Sequence, residues 1–228
     1  MTIVIIGASG TLGRAVVREL RSDHDIIAAD RSSERHPVDI CDDASVQALF
    51  AGLGKIDGII CAAGETHIGP LKDMTAEQFN KGLQNKLLGQ VRLSLIGQHY
   101  LKPGGSITLT TGIITDEPLR DCANVTSVDA AIEGFVRAAA MEAREWRINA
   151  VSPTVLTESL EIYVPALKAC RRSAPLLHIG EVSTAYRQGA CIAFGHNPTE
   201  GNRRNRRKSR DDGRNLSCPR SCLRNEFR

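Results

Sequence analysis

The stretch TIVIIGASGTLGRAVVREL, residues 2–20, decides the fold. An apolar run from Ile3 to Ile6 leads directly into Gly7, Gly10 and Gly13, and the residues beyond them set Ala15, Val16, Val17 and Leu20 at helical spacing. A strand feeding a glycine turn and then a helix beginning near Thr11 is a phosphate-binding device. Backbone without Cβ atoms turns sharply and comes close to an anion, and the first helical N–H groups, with the positive end of the helix dipole, point at it. Three glycines alone carry little weight; the strand before them and the amphipathic helix after them make the reading specific. Gly7, Ser9, Gly10, Thr11, Leu12 and Gly13 are therefore the first candidate nucleotide contacts.

Outward from this turn, strand-like and helical runs alternate. Strands are expected at Asp25–Ala29, at Ile56–Ile60 before CAAG, in GGSITLTTG and in RINAVSP; helices are expected over Asp43–Ala51, Thr75–Leu101 and Thr126–Arg144. Strands too apolar to have a wet face, each followed by a helix, argue for an α/β domain: a Rossmann-type, doubly wound parallel sheet with helices on both faces.

The chain's 228 residues suit one such domain, over 1–195, and 42% hydrophobic content is ordinary for a soluble protein. No run approaches the roughly 18 apolar residues of a membrane span, and no charged leader precedes the first strand, so a cytoplasmic protein without membrane contact is expected. Seven cysteines, an odd and scattered set, read as reduced thiols. Cys218 and Cys222 lack two further ligands at zinc spacing, so no metal is expected. The net charge of +3 is uneven: residues 201–228 hold ten basic against three acidic residues, which leaves residues 1–200 at −4. Without interleaved aromatics, this basic segment reads as a solvated tail over 196–228 rather than a nucleic-acid site.

Several of these segments, in order from Met1 to about Ser159, resemble the short-chain dehydrogenases/reductases. The resemblance implies a Rossmann oxidoreductase that uses NAD or NADP on a small carbonyl or alcohol substrate. GASGTLG, residues 7–13, resembles the family's cofactor turn. Asp39 and Ile40 resemble the pair that contacts adenine; Ala62, Ala63 and Gly64 of CAAG resemble the turn that shapes the cofactor floor. Asn85 matches an asparagine that holds a proton-relay water, and Pro153 and Thr157 match the loop over the nicotinamide. Anchoring on AAIEGF, residues 130–135, sets Val125 where the family has its catalytic Tyr and Asp129 where it has the Lys four residues on. In the family that Lys brings the phenol, with an ordinary pKa near 10, toward neutrality so that it exchanges a proton with the substrate. Valine has no proton to give, and a carboxylate would raise a neighbouring acid's pKa. Altered proton delivery is one expectation; a catalytically silent dinucleotide-binding protein, sensing redox state or supporting an oligomer, is the alternative.

Hydroxyls remain nearby. Thr111, beside Thr110 at a strand end, is a candidate to polarise a carbonyl, with strand-end hydrogen bonding as the plain alternative; Thr126 and Ser127 read as helix-start residues. Asn85 has a plain alternative too, a bond to local backbone. Asp30, at the end of the second strand, would accept bonds from the ribose hydroxyls of NAD and repel the 2′-phosphate of NADP, whereas Arg31 with Ser32 and Ser33 would hold that phosphate. Asp30 stands nearest the strand end, so NAD is expected. Gly82, Gly89 and Gly97 permit close helix approach, either to the chain's own sheet or to a second copy. Ala131, Gly134, Ala138 and Ala139 form a small-residue face for which a homodimer or homotetramer is expected.

Overall fold

A computed structural model describes residues 1–154, Leu156 and Glu158. The turn-forming stretch folds as its pattern demands. β1 (Thr2–Ile6) alternates its side chains between two cores, with Ile3 and Ile5 packed with Val16 of α1 (Thr11–Leu20) on one face. Val4 and Ile6 join the larger core on the other, with Phe50, Leu93 and Ile132. Those come from α2 (Asp43–Leu53), α4 (Leu88–Gly97) and α5 (Ala123–Glu142). Helices therefore cover both faces of the sheet.

Five strands, β1, β2 (Asp25–Ala29), β3 (Ile56–Cys61), β4 (Leu101–Thr110) and β5 (Arg147–Val151), form one sheet of order β2-β1-β3-β4-β5. Every neighbouring pair is parallel. The order reverses between β1 and β3, and in such sheets ligands bind in the crevice beyond the strand ends at that switch point. Gly7 and Ala62 stand there.

Local chemistry sets the element ends. Asp42 caps α2 by accepting from Ala44 N, and Gly54, at φ +71°, ends it. α3 (Ala76–Gly82) opens with a capping box in which Thr75 accepts from Gln78 N while the Gln78 side chain accepts from Thr75 N. The single long helix expected over Thr75–Leu101 is instead α3, a π-helical segment at Leu83–Leu87, α4 and a 3-10 turn at Gln98–Tyr100, while Leu101 already belongs to β4. α5 begins at Ala123, not Thr126. Thr126 and Ser127 thus sit inside its first turns and bond backward, to Ile114 O at 3.4 Å and Ala123 O at 2.8 Å, rather than capping it.

The helix glycines face their own chain. A Cβ on Gly89 would stand 2.8 Å from Ile40 Cδ1, one on Gly97 would meet Ile59 Cδ1 and stand 3.0 Å from Phe50 Cζ, and one on Gly82 would overlap Asn124 Oδ1. Their lack of a side chain serves packing within the chain, Gly82 on α5, Gly89 on the Ile40 loop and Gly97 on β3 and α2. Ala131 and Ala138 are exposed on α5, and a Cβ on Gly134 would have only the Arg137 guanidinium near it, at 3.8 Å. Thr157 and residues 159–228, with the basic tail, Cys218 and Cys222, lie outside the described residues.

Candidate functional site

The site begins at the end of β1. Gly7 has φ +81°, a conformation that disfavours side chains, and a Cβ there would stand 2.9 Å from the Ala62 carbonyl. Gly7 N donates to Ala29 O at 2.8 Å and Gly10 N to Gly7 O at 3.0 Å, closing the turn. On Gly13 a Cβ would overlap the Gly7 carbonyl oxygen, so the helix packs against the turn as only glycine permits. Gly10 caps α1 without a side-chain bond, and no acid stands in the first turn. The leading N–H groups therefore face outward without a competing side chain, an arrangement that suits a phosphate.

Two cavities flank this turn and share the wall Ala62–Gly64. One, of about 360 Å³, is lined by Gly7, Ser9, Gly10, Asp30, Arg31, Ser32, Asp39, Ile40 and Asn85. The other, of about 300 Å³, is lined by Thr11, Leu12, Thr111 and Pro153, and by residues the sequence reading did not single out as contacts, among them Lys86, Thr66, Ile114 and Leu156. Of the residues expected at a dinucleotide site, Gly13 lines neither, acting through the turn, and Thr157 is outside the described residues.

In the first cavity Asp30 Oδ1 accepts from Ser32 N at 2.8 Å and Ser32 Oγ at 2.7 Å. The Ser32 hydroxyl, followed by lesser bonds, holds the Asp30 carboxyl below its ordinary pKa against the effect of burial. Arg31 is engaged by Glu65, 2.9 Å away, which also pairs with Lys81 at 3.1 Å. Asp39 accepts from Cys41 N at 2.9 Å while its own N–H donates to Ser45 Oγ at 2.9 Å, fixing the strip that carries Ile40. Asn85 does not bond to local helix backbone: it accepts from Glu65 N at 2.7 Å and points its amide at Cys41 Sγ, 3.2 Å away. It thereby ties the π segment to the strand-end turn on this side of the site.

In the second cavity Thr110 Oγ1 donates to Cys61 O at 2.6 Å and Thr111 Oγ1 to Val151 O at 3.3 Å, so both hydroxyls bind backbone across strand ends. Val125 and Asp129, one helical turn apart on α5, both reach this cavity. Asp129 lies 2.6 Å from Lys86 Nζ, with side-chain exposures of 2% and 14%. Burial pushes the Asp129 carboxyl above its ordinary pKa, and the Lys86 ammonium opposes that rise. A sequence signal for a buried cation beside Asp129 did exist, though not for which one. Asp129 interrupts the apolar series Val125, Val128, Ile132 and Val136, and an acid on a buried face calls for a cation.

A parallel sheet with a glycine cradle and paired cavities at its switch point defines a Rossmann-type nucleotide fold. A family model described as enoyl-(acyl carrier protein) reductase matches residues 5–194, and the chain belongs to that family, within the short-chain dehydrogenase/reductase superfamily of oxidoreductases. Among solved structures, the protein lin1944 of Listeria innocua is 34% identical with a TM-score of 0.76, over 85% of this chain and 95% of that one. A small-chain dehydrogenase in complex with NADPH is 26% identical with a TM-score of 0.70, over 83% and 90%. A hydroxy-methyl-oxo-hexahydroindene-carboxyl-CoA reductase of Mycobacterium tuberculosis is 24% identical over 221 residues, 84% of each chain. No helix among the described residues is long and apolar enough to cross a membrane.

Proposed function

We propose that this chain is an NAD(P)-dependent oxidoreductase acting on a small carbonyl or alcohol substrate. The observation that carries the reading is the cradle: Gly7 and Gly13 leave no room for side chains, and a helix N-terminus with no side-chain cap opens between two cavities. The pyrophosphate would rest on the turn, the adenosine half beside Asp30, Asp39 and Ile40, and the nicotinamide half in the cavity walled by Thr111 and Pro153. Bound there, the cofactor supplies or accepts a hydride. NAD as the preferred form rests on Asp30, whose ionised carboxylate favours ribose hydroxyls over a 2′-phosphate; the NADPH-bound relative supports the dinucleotide class rather than this preference. Thr111 would orient a substrate carbonyl. Asn85, bonded to Glu65 and Cys41, would act by holding the wall between the halves. A homodimer or homotetramer through the exposed Ala131 and Ala138 face of α5 and a cytoplasmic location belong to the same proposal.

The test is a fluorescence titration of the full chain with NADH and NADPH, followed by turnover of a carbonyl panel. Saturable binding of at least one dinucleotide is expected, together with loss of about tenfold or more in Gly13→Val, checked for folding by circular dichroism. Unchanged affinity in a folded Gly13→Val protein removes the cradle assignment; tight binding with no turnover selects the silent binding protein.

A further inference from the structure

Neither the glycine turn nor the adenosine-side cavity accounts for Lys86. It lies in the π-helical segment Leu83–Leu87, a widened turn that occurs mostly at functional positions. Its neighbour Asn85 lines one cavity while Lys86 lines the other. Gly64 leaves room for the lysine stem, since a Cβ there would stand 2.5 Å from Lys86 Cγ. From α5, Asp129 comes within 2.6 Å of Nζ, yet Oδ1 has no hydrogen-bond partner of good alignment. A buried ion pair is a poor stabiliser, because removing two charges from water offsets much of their attraction. Its position at a cavity wall gives it another use.

We propose that Lys86 is the acid that protonates the substrate oxygen, with Asp129 as the positioning residue that holds its ammonium at the cavity wall. The proposal rests on the oxidoreductase reading above. Reduction of a carbonyl requires a hydride on carbon, which the reduced nicotinamide gives up as it is oxidised, and a proton on oxygen. As the C=O π pair moves onto oxygen, an N–H bond of Lys86 breaks and the O–H bond forms; the neutral amine then takes a proton from water. Oxidation of an alcohol runs the same transfers backward. The other polar groups of this cavity serve poorly: the Asp129 and Glu117 carboxylates only accept hydrogen bonds, and the hydroxyls of Thr11, Thr66, Thr110, Thr111 and Thr154 are alcohols, which can orient an oxygen but are far weaker acids than an ammonium. Lys86 is the one cation among the described residues that line it. A charge that the family resemblance would set on α5 is thus delivered from the opposite helix, with an acid on α5 to receive it.

Two measurements on the full chain separate this proposal from the reading beneath it. The first needs no turnover. With lysines reductively ¹³C-methylated, the Lys86 signal, assigned by its absence in Lys86→Arg, is followed from pH 5 to 11 in wild type and Asp129→Asn. Asp129 faces Nζ, Glu117 lines the same cavity, and the Lys86 charge acts on Cys61, whose thiol burial pushes up to about 12. A Lys86 midpoint that falls when Asp129 becomes Asn is expected, and a midpoint unmoved by that change overturns the pair. The second is single-turnover reduction of 2,3-butanedione and 4-nitrobenzaldehyde by NADH- or NADPH-loaded protein. Lys86→Met should slow hydride transfer by about 10²–10⁴-fold with dinucleotide affinity kept within a few-fold, and Lys86→Arg, which retains the charge without an easily lost proton, should not restore it. Transfer at the wild-type rate in Lys86→Met, loss of cofactor affinity alone, or a cofactor-loaded wild type that reduces neither probe each overturns the proposal. A wild type that binds neither dinucleotide defeats the underlying function instead.

Discussion

Asp30 shows how much chemistry one position carries. Its Oδ1 closes a local turn by accepting from Ser32 N and Oγ, and those bonds hold the carboxyl below its ordinary pKa beside the cavity proposed for the adenosine half. Replacing it with alanine loosens the turn for either cofactor but removes repulsion only against the 2′-phosphate. The readout is therefore a ratio: Asp30→Ala should shift the NADPH-to-NADH affinity ratio toward NADPH by about 1–3 kcal/mol, measured by titrating both into the variant and wild type. An unchanged ratio would mean that the carboxylate serves the turn alone. The places of Gly7, Gly13 and Asp30 at the turn and strand end were legible because they follow from backbone sterics and strand position. Lys86 was not legible, since nothing local to Asn85 and Lys86 tells that a π turn sends them to different cavities.

Among the elements, α4 is the one whose sequence reading was most open. Its glycines fitted either a partner helix or the chain's own sheet, and the structure seats them on Ile40, Ile59 and Phe50. Helix propensity favours alanine over glycine by about 1 kcal/mol, yet at Gly97 the new methyl would enter a filled core, a strain of roughly 1–3 kcal/mol. Gly97→Ala should thus lower stability in urea unfolding, whereas Gly52→Ala on α2, where a Cβ meets nothing within 4 Å, should raise it by about 0.5–1 kcal/mol. Stabilisation by both would show that α4 does not lie this close to the sheet. Strands were legible within two or three residues because apolar runs mark them; β4 starts at Leu101, three residues before the expected Gly104. The start of α5 was misread by three residues because Thr126 and Ser127 resemble capping residues, although they bond back to Ile114 and Ala123.

For the whole molecule, the carboxylates fall into two sets with opposite effects on stability. Asp30, Asp57 and Glu65 are held low by hydrogen bonds and nearby cations, so their contribution is present above the ordinary carboxyl range and is lost as pH falls through their lowered values. Asp129 and Glu133 are raised by burial, so the folded state binds their protons more readily than the unfolded chain does, and stability drops as pH climbs from 3.8 or 4.5 through the raised values. Glu133→Gln, which retains an acceptor for the Thr115 hydroxyl now 3.0 Å away, should raise the melting temperature at pH 7 and leave it nearly unchanged at pH 4. An equal effect at both pH values would show that charge burial is not its cause. The same scale divides what each level of description decided. Continuous apolar strand runs, the Gly7–Gly13 turn and the alternation of strand and helix determined the doubly wound parallel sheet and the glycine turn that ends its first strand, because backbone sterics and amphipathic spacing act within a few residues. The pairing of Lys86 with Asp129, the seating of Gly89 and Gly97 against the core, and the division of Asn85 from Lys86 were decided only in the tertiary structure. Each depends on which helix faces which across the sheet, and distance in space, not spacing along the chain, sets the strength of a charge pair or the room for a methyl group.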